Sequence, residues 1–452
     1  MTHTLWETFR DKRVLLLQGP VGPMFWRLSK LLHAAGAKVF KVNFNGGDLA
    51  FYPLRSINYR GSLESWPQYL SGLLEELEID VLLMFGDCRK MHRIARDCAK
   101  KYGVSVGAFE EGYIRPNYIT LERSGVNGYS LIPRNRDFYL SMRQENCPPE
   151  IAVGNTFWYA AIWATLYYML SDLLRPLFPH YTHHRSLTVL DFWPWIRSGW
   201  RKWSYQRQER HLLEYLTGPR SKHFFLVPLQ ISTDSQMQHH SDFGSVPQFI
   251  RWVVESFARC APADTILAIK HHPLDRGYHD YQVLIQSLAG DFNLAGRLLY
   301  IHDQHLPTLL NHARGAVVVN STVGLTALWH GLPVKACGSA IYDIDGLTYQ
   351  GPLDDYWRAA DSFRPDMDLF NRFRTYVIRQ TQINGSLYSG DFTDVLYPSF
   401  AWVTRRGAAP PPLKLASINA SGARCVEPPA SAESGSLDVS ARAAIPRRTS
   451  VR

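Results

Sequence analysis

Short apolar runs alternate with amphipathic segments in two separate stretches of the chain, and glycine- or proline-rich turns lie between them. Runs of this length suit strands, and strands that alternate with helices are typical of open parallel sheets. The predicted strands are Arg13–Leu17, Lys38–Asn43, Ile79–Phe85 and Val104–Phe109, then Phe224–Pro228, Thr265–Ile269, Leu298–Ile301, Gly315–Val319 and Pro333–Ala336. The pattern predicts an α/β protein with two doubly wound parallel sheets and a cleft between them.

Two polar turns follow strands of the second stretch, at Lys270–Pro273 and at Asn320–Gly324. Either turn alone could be structural, with a proline or a helix cap. Because the carboxyl ends of parallel strands form the ligand-binding edge of a sheet, the two together favour a nucleotide-sugar site. Adjacent side chains of extended backbone point to opposite faces, so we expect His272 rather than His271 to face the ligand. The candidate residues are Lys270, His272, Pro273, Asn320, Ser321, Thr322 and Gly324.

Two loops of the first stretch are candidates for an acceptor subsite. Gln18 and Gly19 follow the first strand, and Asn43, Asn45 and Asp48 belong to a glycine-rich loop at the end of the second. Strand ends are where an open sheet places its ligands. A plain structural turn is the other interpretation of each loop.

Paired carboxylates end the strand that precedes Arg115. Glu110 and Glu111 would be costly to bury unless they are used or neutralised, and one of them could act as an acid or a base through a raised pKa. Arg115 could instead be their structural partner. The sequence therefore offers both a catalytic and a structural interpretation of this cluster.

A polar loop follows Phe224–Pro228 and contains Gln230 and Asp234. An Asp among hydroxyl and amide groups at a sheet edge could attack or stabilise an anomeric carbon, although Asp is also a common turn residue. His239 and His240 lie nearby, but no third ligand has a suitable spacing. We therefore expect no metal and no cofactor.

The composition narrows the classes of function. The 452 residues include 49 Lys and Arg against 40 Asp and Glu, for a net charge of +9. This mild excess fits nucleotides or phospholipid headgroups, and neither an RNA signature nor zinc-finger spacing supports nucleic acid. Six scattered cysteines favour a reducing compartment, and no apolar run reaches the roughly 20 residues of a spanning helix. We expect a cytoplasmic protein that can contact a membrane.

An aromatic and basic segment separates the two stretches. It interleaves Trp with Arg197, Arg201 and Lys202, which suits either an anionic bilayer surface or a packed helical pair or dimer contact. The predicted domains are an N-terminal Rossmann-like acceptor domain, the aromatic segment, a C-terminal Rossmann-like nucleotide-sugar domain and a disordered tail. Their limits are 1–150, 151–215, 216–400 and 405–452.

Five segments together resemble the capsule polysaccharide biosynthesis family of the KpsS/KpsC type, and its KpsS members most of all. They are QGPVGPMFWRLSKLL, KVNFNGGD, EEGYIRPNYIT, KHHPLDRG and NSTVGLTALWHGLPVK. The resemblance implies a GT-B-like retaining β-Kdo transferase with CMP-Kdo as donor substrate. It also implies that the enzyme starts the capsule linker on lyso-phosphatidylglycerol, as a peripheral protein on the inner face of the inner membrane.

The resemblance implies roles for the donor-side residues. His272, Pro273, Asn320, Ser321 and Thr322 would hold CMP. Asp234 would be the catalytic carboxylate, in a loop that reads Thr-Asp-Ser-Gln where the KpsC type has a form like Gly-Asp-Ala-Ser.

Residues of both stretches are candidates for the other two roles, which are to accept the acceptor's proton and to bind the carboxylate of Kdo. Glu110 or Glu111 would take the acceptor's proton, and Arg115 or Lys335 would pair with the carboxylate of Kdo. The implied partners are the donor, the phospholipid acceptor, the membrane surface and other capsule proteins. Two other functions remain open: transfer from another CMP-sugar, and a non-catalytic role in capsule export or assembly.

Overall fold

Two separate β-sheets organise the chain in the computed structural model, which describes residues 5–147, 150–181, 192–232, 241–389, 392 and 400–408. The strands in these residues are, in chain order, β1 (Arg13–Leu16), β2 (Lys38–Asn43), β3 (Ile57–Asn58), β4 (Val81–Phe85), β5 (Ser105–Glu111), β6 (Tyr118–Arg123), β7 (Phe224–Pro228), β8 (Ile266–Lys270), β9 (Leu298–Ile301), β10 (Gly315–Val318), β11 (Val334–Ala336) and β12 (Gln382–Asn384).

Both sheets have the doubly wound strand order. The first runs β3-β2-β1-β4-β5-β6-β12 and the second β9-β8-β7-β10-β11. From β3 to β5, and throughout the second sheet, neighbouring strands are parallel. The predicted α/β, GT-B-like architecture is thus confirmed. In each sheet the strand order reverses beside the first strand, between β1 and β4 and between β7 and β10, and ligands bind at such switch points.

Helices cover both faces of the sheets, and this explains why β7, β8 and β10 are buried along their whole length and apolar except at Lys270, the last residue of β8. The helices are α1 (Met24–Ala34), α2 (Gly46–Phe51), α3 (Trp66–Glu76), α4 (Lys90–Lys101), α5 (Arg136–Ser141), α6 (Phe157–Leu173), α7 (Phe192–Gln208), α8 (Arg210–Thr217), α9 (Val246–Cys260), α10 (Gln282–Asp291), α11 (Leu306–His312), α12 (Val323–Trp329), α13 (Leu353–Ala359) and α14 (Met367–Thr381). Local signals set several of their starts: the side chain of Ser245 caps α9, and that of Asp366 caps α14.

The edge of the first sheet is antiparallel, which the sequence pattern did not predict. β6 pairs antiparallel with β5, and β12 pairs antiparallel with β6. The connection from Glu111 to Tyr118 is too short for the crossover that a parallel neighbour requires. The chain therefore turns back on itself immediately after the paired glutamates.

The chain returns to the first sheet near its C-terminal end. α14 leads into β12, and Phe400 and Trp402 are buried in the core that Trp6 and Phe9 also build. Part of the predicted 216–400 domain thus belongs to the first sheet. A strand pairing between segments so far apart in sequence leaves no local periodicity from which to predict it.

The start of the predicted tail is packed against the first sheet. The Arg406 N–H donates to Asp80 Oδ1 over 2.9 Å, and its guanidinium donates to the carbonyls of Tyr102 and Leu74. Residues 409–452, where disorder was predicted, lie outside the described part of the chain.

The segment that follows β5 joins the two sheets. Tyr113, Phe138 and Tyr139 pack in one apolar cluster with Leu226 and Val318 of the second sheet. Arg134 Nη1 also donates to Ser339 Oγ over 2.7 Å. These contacts bring the carboxyl end of β5 close to the loops at the carboxyl ends of the second sheet.

Candidate functional site

A hydrogen bond between two predicted site residues marks the switch point of the second sheet. Gln230 follows β7, Asn320 follows β10, and Gln230 Nε2 donates to Asn320 Oδ1 over 2.9 Å. Both side chains are largely buried. The two strand ends between which the strand order reverses are therefore bridged by amide groups, which can both donate and accept hydrogen bonds.

The two adjacent histidines after β8 point in different directions. His271 is buried, with Nδ1 2.7 Å from the Tyr300 hydroxyl. His272 is half-buried, and the Leu274 N–H donates to its Nδ1 over 3.2 Å. With Nδ1 as acceptor, a neutral ring carries its proton on Nε2. His272 can thus present an N–H donor to a ligand.

Electrostatics connect His272 to the first sheet. Burial, together with the positive charges of Lys270 and Arg115, lowers the pKa of His272 to about 4. The ring is therefore neutral at pH 7. Arg115 follows β5, so the electrostatics of His272 include a cation of the first sheet.

The Lys270 side chain is hydrogen-bonded to the loop that follows β9. Its Nζ donates to the His302 carbonyl over 2.9 Å, and burial lowers its pKa. Pro273 is exposed. Contact of either residue with a donor stays a prediction.

The polar turn after β10 is organised by Tyr342. Its hydroxyl donates to the Ser321 carbonyl over 2.5 Å, while Ser321 Oγ accepts from the Val323 N–H over 3.2 Å. A Cβ at Gly324 would overlap the Tyr342 hydroxyl, so the glycine permits this packing. Ser321 and Thr322 remain half-buried at the start of α12. Contact of Ser321 and Thr322 with a phosphate stays a prediction.

A cavity of about 680 Å³ opens at the carboxyl end of β11. Lys335, Ser339 and Asp343 supply polar groups to its lining, and Trp252 of α9 supplies an aromatic face. The Lys335 ammonium donates to the Tyr349 carbonyl over 3.3 Å. The volume lies within the range of small-molecule sites, and Ser339 also contacts Arg134 beyond β6.

The paired glutamates at the end of β5 have different surroundings. Tyr388 donates to Glu111 Oε1 over 2.7 Å, and the Glu111 N–H donates to Glu110 Oε1 over 3.1 Å. Burial, followed by the charge of Glu111, raises the pKa of Tyr388. Arg115 Nε donates to the Gly112 carbonyl over 3.2 Å. Both carboxylates are half-buried at the sheet edge, where proton transfer to or from a ligand is chemically feasible.

Sequence reasoning missed two residues of this edge. Arg89, after β4, donates to the Gly19 carbonyl over 3.4 Å and so spans the first sheet's switch point. Tyr388 reaches Glu111 from a segment 277 residues away. A cation in the short polar turn that follows the apolar strand β4 was a signal that could have indicated Arg89. No local signal indicated Tyr388.

The first-half acceptor candidates are hydrogen-bonded inside the protein. Gln18 Nε2 and Asn45 Nδ2 each donate to Tyr167 Oη over 2.9 Å, and Tyr167 donates to Asp48 Oδ1 over 2.9 Å. Asn43 is fully buried and donates to Ser56 and Asn58. Gly19 packs against the Phe25 ring. Acceptor contact by these residues stays a prediction, and for Gln18, Asn45 and Asp48 it would require Tyr167 to move.

Three candidate residues lie outside the described part of the chain: Asp234, His239 and His240. Among the residues that the structure describes, no group of three or more His, Cys, Asp or Glu side chains could hold a metal ion.

Two doubly wound sheets with polar side chains at both switch points define a GT-B-like α/β protein. The chain belongs to the capsule polysaccharide biosynthesis protein family, whose model matches residues 80–388. It is 40% identical over 387 residues to the capsule polysaccharide export protein KpsS of Escherichia coli, covering 83% of this chain and 97% of the relative. It is also 40% identical over 392 residues to the capsule polysaccharide modification protein LipB of Neisseria meningitidis serogroup A, covering 84% and 93%.

Among solved structures, the chain is similar to KpsC of Thermosulfurimonas dismutans, a beta Kdo 2,7 transferase. The TM-score is 0.40 at 14% identity, with 85% of this chain and 95% of the other covered.

Proposed function

We propose that the chain is a retaining β-Kdo transferase that moves Kdo from CMP-Kdo to a (lyso)phosphatidylglycerol acceptor and so starts a capsule linker. The observation that carries this proposal is the hydrogen bond between Gln230, after β7, and Asn320, after β10, at the switch point of the second sheet. His272, after the neighbouring strand β8, presents an N–H donor at the same edge. Amide groups and a neutral N–H donor at neighbouring strand ends suit the phosphate of a nucleotide sugar, and Arg115, which follows β5, would supply a cation for the sugar's carboxylate. Membership of the capsule family supports the biological context.

On the donor side, His272 would donate its Nε2–H to a phosphate oxygen of CMP. Its pKa of about 4 means that it acts as a neutral donor rather than as a cation. Gln230 and Asn320 would exchange part of their mutual hydrogen bonding for contacts with the nucleotide. The cavity beside β11 has room for the base or the ribose, with Ser339 and Asp343 as polar partners.

Arg115 is the better placed of the two predicted cations for the Kdo carboxylate. Its charge reaches His272, whereas the Lys335 ammonium bonds to the Tyr349 carbonyl in the wall of the cavity. A guanidinium can bind a carboxylate through two parallel N–H groups. Since Arg115 uses Nε on Gly112, its terminal nitrogens would make this contact.

Retention requires two displacements. In the first, the Asp234 carboxylate attacks the anomeric carbon of Kdo, and the bond to CMP breaks with its electron pair leaving on the phosphate. In the second, the acceptor hydroxyl oxygen attacks the same carbon, its proton passes to Glu110 or Glu111, and the Asp234 carboxylate is released. CMP is a good leaving group, so the first step needs little acid assistance.

The proposed enzyme works as a peripheral protein on the inner face of the inner membrane, beside other capsule proteins. The proposal is tested by incubating the full chain with CMP-Kdo, generated in situ, and a fluorescent lyso-phosphatidylglycerol. A product heavier by one Kdo residue is expected. Product from CMP-sialic acid instead would change the donor. CMP binding without any product would favour the export or assembly role that the name of the E. coli relative indicates.

A further inference from the structure

We propose that the outer faces of α6 and α7 are a docking surface for the interfacial layer of an anionic bilayer. The purpose of this surface rests on the proposed function, because a lipid acceptor must be reached at a membrane. Its existence rests on the exposed side chains alone. No helix in the described residues is both long and apolar enough to span a bilayer.

The outer face of α7 is a continuous apolar stripe. Trp193, Ile196, Trp200 and Trp203 recur at spacings of three and four residues, which places them on one side of a helix. The three tryptophans are between 62 and 67% exposed. Large aromatic side chains so exposed are costly in water, whereas indole rings are favoured at the boundary between headgroups and acyl chains.

The adjoining face of α7 is held by the loop that follows β8. Arg197 Nε donates to the Gly277 carbonyl over 2.7 Å, and Arg201 Nη1 donates to the Arg276 carbonyl over 2.8 Å. Arg201 also lies 3.4 Å from Asp280. The guanidinium groups of Arg197 and Arg201 are thus used within the protein, and their contact with lipid stays a prediction. The same contacts hold the tryptophan stripe outwards.

α6 has the same two-sided arrangement. Its inner face carries Tyr167, which donates a hydrogen bond to Asp48 of α2. Its outer face carries a second stripe of exposed residues at helical spacing: Trp158, Ile162, Met169 and Leu173.

The charged residues around the two stripes indicate which kind of partner this surface binds. The exposed cations of the two helices and the residues next to them are Arg175, Lys202, Arg207 and Arg210. Among the described residues 157–181 and 192–210, the acidic side chains are Asp172, which is half-buried, and Glu209, which is buried. An apolar face bordered by cations, with no exposed acid among those residues, complements anionic headgroups. A second copy of the chain would present the same positive charge and repel it.

The attachment of these helices explains how docking serves the reaction. α6 is bonded to the acceptor edge of the first sheet and α7 to the loop that carries His272 and Arg276. A bilayer bound to their outer faces would therefore be connected, through the two helices, to strand-end loops of both sheets. A lipid acceptor would then enter from the membrane without being extracted into water.

The test is co-sedimentation of the full chain with vesicles, in the absence of any donor. Wild type should bind vesicles that contain phosphatidylglycerol and bind pure phosphatidylcholine more weakly. The triple variant Trp193→Ser/Trp200→Ser/Trp203→Ser should lose at least about tenfold in partitioning, since interfacial binding scales with buried apolar area. Trp329→Ser is the matched control, because Trp329 is 54% exposed on α12 and packs under Arg374. Lys202→Glu/Arg207→Glu should weaken binding to the anionic vesicles only.

Two further measurements separate the outcomes. Brominated lipids should quench the tryptophan fluorescence of wild type, and quench it less in Trp200→Phe, which keeps the proposal testable if the triple variant fails to fold. Transfer to a short-chain, water-soluble acceptor should be retained in the triple variant. Unchanged vesicle binding in that variant, or dimers in wild type that it dissociates, would overturn the docking surface. Vesicle binding without transfer would leave the surface standing and remove the proposed function.

Discussion

Tyr167 of α6 donates a hydrogen bond to Asp48 over 2.9 Å, across 119 residues of sequence. The same hydroxyl accepts hydrogen bonds from Gln18 and Asn45. One donor and two acceptor positions are thus all used, which is the full capacity of a tyrosine hydroxyl. Residues that look like ligand groups in the sequence therefore attach an aromatic helix to the ends of β1 and β2.

Tyr167→Phe should destabilise the protein by about 1–3 kcal/mol, because Asp48 stays buried and loses a hydrogen-bond donor. Urea unfolding followed by circular dichroism measures the change. Tyr159→Phe on the exposed side of the same helix is the control and should behave as wild type. Equal stability of Tyr167→Phe and wild type would show that the network does not hold α6.

Gly46→Ala should cost about 1–3 kcal/mol of stability, because the added Cβ would overlap the Leu170 carbonyl and the side chain of Leu174. A backbone oxygen cannot rotate away, so α6 itself must shift. Gly72→Ala is the matched control: nothing lies within 4 Å of its Cβ position in α3, and the change should stabilise by about 0.5–1 kcal/mol. Thermal melts of both variants check the prediction, which fails if the two variants shift the melting temperature in the same direction.

Glu122 should make stability depend on pH. Burial raises its pKa from 4.5 to about 7, although Tyr113 and Ser130 each donate to its carboxylate over 2.5 Å. The folded state thus favours the protonated group. Its contribution to stability is complete below about pH 4.5 and is lost as pH rises to about 7.

The free energy of unfolding of Glu122→Gln should therefore rise relative to that of wild type as pH rises, by up to about 3 kcal/mol across that range. Urea midpoints measured from pH 4.5 to pH 8 give the difference. Glu76→Gln, at an exposed position of α3, should follow the wild-type profile. A constant difference between Glu122→Gln and wild type would mean that the carboxyl does not titrate in this window.

His272→Ala should weaken CMP binding about tenfold, the loss expected for one hydrogen bond to a charged oxygen. Because the pKa of His272 is held at about 4 by burial, the contribution of this ring should stay constant from pH 6 to pH 8. Calorimetric titration with CMP measures both effects, and His211→Ala at an exposed position of α8 serves as control. Unchanged affinity in His272→Ala would remove the residue from the donor site.

Asp234→Asn should lower Kdo transfer by at least about a thousandfold while keeping CMP affinity, because an amide cannot supply the negative charge that the anomeric centre needs. Parallel turnover and binding measurements on one preparation make the comparison. Normal turnover in Asp234→Asn would contradict the assignment of Asp234 as the catalytic carboxylate. A joint loss of turnover and of CMP binding would point to a structural role.

The sequence by itself determined the alternation of strands and helices and the polar turns that follow them. Apolar periodicity and glycine or proline punctuation are local, so β1, β2, β7 and β8 could be placed within a residue or two. The same locality put His272, Gln230 and Asn320 at strand ends, where a doubly wound sheet binds its ligands.

Only the tertiary structure decided which of those polar groups are open to a ligand and which are used internally. Tyr167 engages Asp48, Tyr388 engages Glu111, and β12 completes the first sheet from near the other end of the chain. Each of these pairings joins segments more than a hundred residues apart. Which segments pair depends on how the sheets and helices pack, and a local pattern of residue types does not contain that information.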